Sequence, residues 1–495
     1  MTNRRLSPPV LLRRDGASAT RRFASIFESV ALAGILAGCS SGGGTADVAG
    51  PEGKPSDPGG FTVADTATDT AGGRLDFANS QVVLADVAMD PTGRTTAIWV
   101  DGVPSGGALQ TSDRDPRGPW STPAPIVTPL GTVSSGPISL TKDTNGNALA
   151  VWGALDAAQS RTIILTARRP AGGAWTTPME LSTGTDNFRP IGGLSDDGYL
   201  VVAWLRQPNG SEGSSTVVVR TGHDGVWNPA IELGQGDFAV EGALQVSSNG
   251  VGYLVWDSSA NGTTVERFVG SARTSTSVHT GVSGVNQLAL AVSASGEALV
   301  ASDTQLGFEL HAIHVQRYRN GSGWGASQPL SSGEPRDAAY YIEAELTADG
   351  RAAVAWAAVA FAPHQPVQIL VDVATDAGSG FGMPSAVTTW LPPALDVPFS
   401  RLLLAADEAG RMTIVWGEGA IYAVDLMATR LDWGSGSWTP LETIVTGASI
   451  WLPIEDVRMS SGLGTSALIW VERSRPSAPV RTSELFFRML PHPGP

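Results

Sequence analysis

The chain has 495 residues, a net charge of −15 and a single cysteine, and it is rich in glycine (59), proline (33) and tryptophan (15) while only 16% of its residues are charged. This composition suits many short strands joined by tight turns, and it excludes a helical bundle and a disordered chain. The acidic net charge repels phosphate backbones, which argues against nucleic acid as a partner.

Residues 1–38 have the layout of a secretory signal. Six arginines lie within the first 22 residues, and a short apolar run, 30–37, follows them. The run is too short to span a bilayer as a mature helix. It ends in Leu-Ala-Gly-Cys at 36–39, which resembles the lipobox of bacterial lipoproteins. The resemblance implies cleavage before Cys39 and lipidation of that cysteine on its thiol and its new amine, as in palmitate-anchored lipoproteins.

The segment after the cleavage site predicts where the folded part lies. Residues 39–60 are rich in Gly, Ser and Pro, which is typical of a flexible tether. By the same family resemblance, Ser40 rather than an aspartate after the cysteine favours the outer membrane of the cell envelope, on its periplasmic or surface face. Cleavage removes six arginines and two carboxylates, so the net charge falls from −15 to −19.

A repeat fills residues 61–490. Eight glycines recur at spacings between 46 and 60 residues, and in seven copies a tryptophan follows six residues later. The glycines are Gly93, Gly146, Gly198, Gly250, Gly296, Gly350, Gly410 and Gly464. The tryptophans are Trp99, Trp152, Trp204, Trp256, Trp356, Trp416 and Trp470, and the remaining copy has Ser302. A period near 50 residues is typical of a propeller or a repeat array.

Each copy predicts four strands. An apolar run leads into a turn at the glycine, the tryptophan strand follows, then an extended stretch, and then a second mark such as Gly-Ala-Trp-Thr-Thr-Pro around Trp175. The tryptophan strand is apolar at consecutive positions, so both of its faces are expected to be buried. We therefore interpret the seven tryptophans as core between neighbouring sheets and not as ligand platforms.

These patterns predict an all-β fold, a single β-propeller of eight four-stranded blades over 61–490, followed by a tail at 491–495. Seven blades is the alternative if the region around Ser302 forms no blade of its own. The last copy lacks an outer strand, so we expect a strand from residues 60–77 to complete it and remove the free edge. The chain resembles propeller lipoproteins as a class.

Two groups of residues are candidates for a ligand-binding face. Charged residues follow the tryptophans closely and predict a polar ring at one channel mouth, or else solvated loop charges; they are Asp101, Arg206, Asp257, Asp303, Glu418 and Glu472. Long loops are predicted at three consecutive blade junctions, 336–345, 388–398 and 447–453, and they carry four aromatic residues outside the repeated marks; these are Tyr340, Tyr341, Trp390 and Trp451. Exposed together, they would form an aromatic patch for a sugar or a protein; packed locally, they would be structural.

The sequence offers no catalytic constellation, no metal site and no cofactor motif. His311 and His314 are three apart in a predicted strand and point to opposite faces. Residues 143–147 resemble the start of a calcium loop, but position twelve is Ala154 and not glutamate. A sialidase needs an arginine cluster with a Tyr/Glu pair, and residues 336–345 supply only the residue types.

The function predicted from these features is a lipid-anchored, non-enzymatic binding or assembly scaffold. Its expected partners are the membrane, through lipidated Cys39, and an envelope protein or glycan. The alternative is a carbohydrate-binding propeller or a glycosidase of the sialidase kind, which would be a glycoside hydrolase. A cluster of arginines around a carboxylate pair would favour the enzyme, and an open aromatic patch without that cluster would favour binding.

Overall fold

The computed structural model describes most of the repeat region. The described residues are 73–75, 82–103, 106–126, 131–156, 158, 161–184, 186–207, 215–238, 243–258, 262–278, 285–307, 310–331, 338–360, 368–377, 380–390, 400–407, 409–420, 423–433, 437–448, 457–462, 465–473 and 483–491. Outside them lie the predicted signal 1–38, Cys39, the tether 39–60, Trp451 and residues 492–495.

All regular structure in these ranges is β-strand, and every pairing is antiparallel. Consecutive strands pair in eight units, numbered here in chain order. After β1 (Gly73–Arg74), unit 1 holds β2 (Val82–Met89), β3 (Thr95–Val103), β4 (Gly106–Arg114) and β5 (Ala124–Pro125); unit 2 holds β6 (Gly131–Lys142), β7 (Ala148–Asp156), β8 (Thr162–Arg169) and β9 (Met179–Glu180); unit 3 holds β10 (Asn187–Leu194), β11 (Tyr199–Arg206), β12 (Thr216–His223), β13 (Val226–Trp227) and β14 (Ile231–Asp237); unit 4 holds β15 (Leu244–Val246), β16 (Val251–Ser258), β17 (Gly262–Val269) and β18 (Ala272–Ser277).

The second half of the chain repeats this arrangement. Unit 5 holds β19 (Val285–Val292), β20 (Ala298–Gly307), β21 (Leu310–Arg319), β22 (Gly323–Trp324) and β23 (Gln328–Pro329); unit 6 holds β24 (Ala338–Leu346), β25 (Ala352–Ala360), β26 (Gln368–Asp376) and β27 (Ser385–Trp390); unit 7 holds β28 (Ser400–Ala406), β29 (Met412–Ala420), β30 (Ala423–Asp432), β31 (Ser437–Trp438) and β32 (Glu442–Ala448); unit 8 holds β33 (Val457–Gly462), β34 (Thr465–Arg473) and β35 (Ser483–Pro491). Short ladders also join unit 1 to unit 2 and unit 3 to unit 4.

The N-terminal strand β1 completes unit 8. Gly73 pairs with Phe487 and Arg74 with Phe486 in β35. The Arg74 guanidinium also donates to the carboxylate of Glu484 over 2.8 Å. The chain therefore supplies from its beginning the outer strand that the last copy of the repeat lacks.

In units 1 to 7, where the structure describes it, the turn between the first and second strand requires its glycine. In unit 1 the backbone N–H of Gly93 donates to the carbonyl of Asp90 over 2.9 Å, and Gly93 has φ 83°. Six other repeat glycines have φ between 76° and 86°. Glycine adopts this left-handed conformation without steric cost, which explains why it recurs at this position.

The tryptophan strands form the core between neighbouring units. All seven repeat tryptophans are buried, with at most 3% of each exposed. Trp152 of unit 2 lies in one apolar cluster with Ile98 of unit 1, and Trp99 of unit 1 lies in one cluster with Ile469 of unit 8. Seven such clusters cover all eight junctions between consecutive units, including the junction of unit 8 with unit 1.

Side chains also join the first strands of neighbouring units. A first strand is paired on one side only, so the N–H groups of its other edge need acceptors. At six junctions among the described residues, a side chain of one first strand accepts a hydrogen bond from a backbone N–H of the next. The pairs are Leu140 N to Asp86 (2.7 Å), Gly192 N to Ser139 (3.2 Å), Val292 N to Gln245 (2.8 Å), Ile342 N to Gln287 (3.0 Å), Ala406 N to Glu345, and Met89 N to Ser460 (3.0 Å).

Unit 5 is complete although its repeat tryptophan is replaced. Ser302 lies in β20, is fully buried, and pairs with Leu288 on one side and His314 on the other. The small side chain therefore occupies a strand position equivalent to that of the tryptophans, and this region forms a unit of its own.

Candidate functional site

Two pockets open between neighbouring units on the side where first strands turn back into second strands. Pocket A lies between units 1 and 2 and has a volume of about 300 Å³. The turns at 90–95 and 113–121 contribute one part of its wall, and the ends of β6 and β8 with their following turns contribute the other. Its charged and aromatic lining residues are Asp90, Arg94, Asp113, Arg114, Asp115, Trp120, Lys142 and Arg169.

A buried ion pair forms the floor of pocket A. The Lys142 ammonium donates to Asp90 Oδ2 over 2.8 Å and to the carbonyl of Arg94 over 2.7 Å, and the two charged side chains are 3% and 2% exposed. Burial lowers the pKa of Lys142, and its bond to Asp90 offsets part of that effect. Burial acts to raise the pKa of Asp90, but hydrogen bonds from Lys142 and Thr92 outweigh it and lower that pKa. The pair thus joins unit 2 to unit 1 in its charged form.

An arginine–aspartate pair forms one wall. Arg169, the last residue of β8, binds the Asp113 carboxylate through both terminal nitrogens, with Nη2 to Oδ1 at 2.6 Å. The same Nη2 donates to the hydroxyl of Thr96 over 2.7 Å. The guanidinium carbon lies 4.9 Å from the centre of the Trp175 ring. A two-pronged pair of this kind is fixed in orientation as well as in charge.

The mouth of pocket A combines an exposed ion pair with an indole. Arg94 Nε contacts Asp115 Oδ1 at 2.8 Å, and the two side chains are 50% and 70% exposed. Trp120, the second-mark tryptophan of unit 1, is half-buried and packs edge-to-face on Phe487 at 5.5 Å between ring centres. The pocket therefore presents an aromatic surface beside fixed hydrogen-bonding groups.

Pocket B occupies the same place between units 2 and 3 and has a volume of about 350 Å³. Arg169 lines both pockets, and Arg168 in pocket B lies 3.6 Å from Asp224. Asp196 accepts hydrogen bonds from the backbone and the hydroxyl of Thr144 across this junction. Pocket B has no aromatic side chain in its lining.

A pair of glutamates with altered acidity lies on the first strand of unit 6. Glu343 and Glu345 are two apart in β24, so they point to the same side, and both are half-buried. Burial raises the pKa of Glu343 to about 8, with a further contribution from Glu345, while Arg458 acts against the shift. Burial likewise raises the pKa of Glu345 to about 7. Residues 336 and 337 of the segment considered for a sialidase-like site lie outside the described residues.

The six charged residues predicted for a ligand-binding face lie inside second strands and not in loops. Their positions are Asp101 in β3, Arg206 in β11, Asp257 in β16, Asp303 in β20, Glu418 in β29 and Glu472 in β34. Asp303 is fully buried. Arg206 pairs with Glu232 at 2.7 Å, and Glu418 accepts from Trp416 Nε1 at 2.7 Å. They lie in strands because the second strands continue beyond each tryptophan, and each of the six belongs to a different unit.

The predicted aromatic residues also lie in strands where the structure describes them. Tyr340 and Tyr341 belong to β24, and Trp390 is the last residue of β27, where it pairs with Ile369. Tyr341 packs against the core shared by units 6 and 7. Trp451 lies outside the described residues. The prediction that these residues sit in junction loops is therefore not met for the three that the structure describes.

The described ranges contain neither a metal-binding cluster nor a membrane-spanning helix. No three side chains of His, Cys, Asp or Glu stand close enough to hold a metal ion there. No described helix has the length and hydropathy of a membrane span.

Comparisons with known proteins give structural likenesses only. No protein-family model matches the chain, and no curated protein matches it. A lectin from Burkholderia pseudomallei is 14% identical, with 74% of this chain and 100% of that chain covered at a TM-score of 0.47. The Aleuria aurantia lectin, described as a six-bladed β-propeller that recognises fucose, is 12% identical over 64% of this chain and 98% of its own, at 0.33. An ulvan-degrading polysaccharide lyase is 8% identical over 82% and 94%, at 0.43.

The residues that line pocket A were not predicted from the sequence as a site. They come from two units, and each is one of many arginines and aspartates whose partners the sequence does not indicate. The one signal is Lys142, which with Lys54 makes up all the lysine of the chain. A lysine retained at the end of an apolar strand, in a chain that otherwise uses arginine, indicates a specific partner.

Proposed function

We propose that the eight units are the blades of a single eight-bladed β-propeller. Two observations support this interpretation. The apolar clusters run from each unit to the next and return from unit 8 to unit 1. The hydrogen bond from Met89 to Ser460 joins the first strand of unit 1 to that of unit 8. The complete strand set of unit 5 favours eight blades over seven.

We further propose that this propeller binds carbohydrate through pockets between its blades, without chemical change of the ligand. The observation that carries the proposal is pocket A, where the Trp120 indole borders the same cavity as Arg94, Asp115 and Lys142. Ligand sites in proteins combine a concave apolar surface with a few convergent polar groups. A pyranose ring matches this arrangement, because its C–H face packs on an indole and its hydroxyls bond to charged side chains.

The repeat extends the proposal beyond one site. Pocket B stands one junction further along the ring, so the same fold offers more than one place for a saccharide unit. Two sites on one rigid scaffold raise the apparent affinity for a polymer above that for a single sugar. Of the two functions that the sequence predicts, carbohydrate binding is thus the one with a described cavity, although Tyr341 of the aromatic patch predicted for a sugar or a protein packs against the core.

The lipid anchor at Cys39 and a location in the bacterial cell envelope complete the proposal. They rest on the Leu-Ala-Gly-Cys motif and on the Gly/Ser/Pro-rich residues 40–60. A tether of this composition would let a membrane-anchored propeller reach surface or periplasmic glycans.

The full chain on a glycan array, followed by calorimetric titration of the best saccharide, tests the binding function. Trp120→Phe removes the indole but keeps an aromatic contact to Phe487, and we expect affinity to fall about tenfold. Trp438→Phe is the matched control, because Trp438 has the same repeat position in unit 7 and does not line pocket A. The absence of any saccharide bound by the unchanged chain, or equal losses in both variants, would overturn the proposal.

A further inference from the structure

Pocket A is positively charged in an acidic protein. Its lining holds four basic side chains, Arg94, Arg114, Lys142 and Arg169, and three acidic ones, Asp90, Asp113 and Asp115. Pocket B has the opposite balance, with two arginines, Arg168 and Arg169, and three aspartates, Asp196, Asp197 and Asp224. The two pockets occupy equivalent places in the repeat but differ in the sign of their net charge. The positive charge of pocket A is therefore a property of its own side chains and is not required by the repeated fold.

A strained arginine, Arg117, lies in the turn between Asp115 and Pro119, two residues that line pocket A. The turn after β4 closes with a bond from Gly118 N to the carbonyl of Asp115 (2.9 Å), as the turn of unit 2 closes from Gly173 N to Pro170 (2.8 Å). The third residue of this four-residue turn is Gly172 in unit 2, with φ 66°. In unit 1 it is Arg117, which is exposed and has φ 62°. Left-handed backbone is strained for a residue with a Cβ, and glycine at this position would avoid the strain.

We infer that pocket A binds a uronate, a saccharide unit whose carboxylate pairs with Arg94 at the mouth and is attracted by the charge of Arg117 in the adjoining turn. This inference rests on the proposed carbohydrate binding and specifies its ligand class. The planar guanidinium group suits a carboxylate, which it binds through two parallel hydrogen bonds. The sugar ring then packs on Trp120, which lines the same pocket as Arg94.

The ion pairs already present in pocket A determine which of its basic side chains can bind a ligand. Lys142 is held by Asp90 in a buried pair, and Arg169 is held by Asp113 through two parallel hydrogen bonds, so both stay with their partners. Arg94 is held by Asp115 in an exposed, solvent-screened pair, so a ligand carboxylate can replace Asp115. Arg94 therefore turns to the ligand while the other two pairs keep the pocket in shape.

The test compares trigalacturonate with its fully methyl-esterified form, which has the same sugar rings without the charge. With the full chain in calorimetric titration, we expect the acid to bind about tenfold more tightly than the ester at low salt, and the difference to shrink at high salt. Arg117→Gly is expected to lower affinity for the acid about tenfold, to leave that for the ester unchanged, and to leave the melting temperature equal or higher. Arg273→Gln, on the outer strand β18 of unit 4, is the control for loss of one exposed arginine.

The outcomes separate this inference from the proposed function. Equal affinities for acid and ester, or no change on Arg117→Gly, overturn the uronate site while carbohydrate binding stands. If neither probe binds but the array identifies a neutral saccharide, the uronate site is likewise overturned and carbohydrate binding stands. Binding of neither probe and an empty array overturn both proposals.

Discussion

The backbone N–H of Met89 in unit 1 donates a hydrogen bond over 3.0 Å to the hydroxyl of Ser460 in unit 8. The two residues are 371 positions apart in the chain. Five other junctions carry the same kind of bond between consecutive first strands. The contact between the first and the last unit is therefore equivalent to the contacts between neighbours in sequence, and it contributes to the same network.

Ser460→Ala is expected to destabilise the fold. The change removes the acceptor and leaves the N–H of Met89 without a partner, which costs about 1–3 kcal/mol for a buried donor. Met89 is buried, so water does not replace the hydroxyl fully. Urea denaturation followed by tryptophan fluorescence measures the loss. Ser271→Ala, in an exposed turn, is the control, and equal midpoints for the two variants would show that the bond contributes nothing.

The strands could be predicted because their signals are local. A turn glycine such as Gly93 and a buried strand such as β3 are specified within about ten residues, and the spacing repeats them. The first strand of unit 6 was missed for a physical reason. Glu343 and Glu345 interrupt the apolar run that marks the other first strands, and so the segment was predicted as a loop. In the structure these two glutamates alternate along β24 with residues of the core.

Pocket A could not be predicted, because no local pattern specifies its pairs. Arg169 and Asp113 are 56 residues apart, and Lys142 and Asp90 are 52 apart. The contact between these side chains depends on how unit 2 packs against unit 1. The repeat predicts that neighbouring units pack together, but it does not specify which side chains pair. The strain at Arg117 is likewise visible only in the backbone angle.

Lys142→Met is expected to destabilise the protein by about 3–5 kcal/mol, because it leaves the Asp90 carboxylate buried without a counter-charge. The double variant with Asp90→Asn is expected to recover part of this loss, since the asparagine is neutral and its oxygen still accepts from Thr92 and Arg94. A double-mutant cycle by chemical denaturation measures the coupling.

Arg94→Gln is the control for that experiment. It breaks the exposed pair with Asp115 and is expected to change stability by less than about 1 kcal/mol. A loss as large as that of Lys142→Met would mean that burial does not distinguish the Lys142–Asp90 pair from the Arg94–Asp115 pair.

Gly146→Ala is expected to cost more than Gly172→Ala. Both glycines have left-handed backbone, with φ 85° and 66°, so each alanine is strained by about 1–2 kcal/mol. A Cβ on Gly146 would also lie 3.0 Å from Asp90 Oδ2, whereas a Cβ on Gly172 meets nothing within 4 Å. Because Asp90 is fixed by Lys142, it cannot move aside freely. Melting temperatures compare the two variants, and equal decreases would contradict the close approach.

Glu343 makes stability depend on pH. The folded chain raises the pKa of this carboxyl from 4.5 to about 8, so the folded state keeps a proton that the unfolded state loses. Below pH 4.5 both states are protonated and the group has no effect; as pH rises from 4.5 to about 8, stability falls, and above that it stays constant. Glu343→Gln is therefore expected to raise the melting temperature at pH 8 and to leave it unchanged near pH 4.5. Glu232→Gln, whose side chain is 59% exposed, is the control. A stabilisation of the same size at both pH values would show that the gain comes from packing and not from the charge of Glu343.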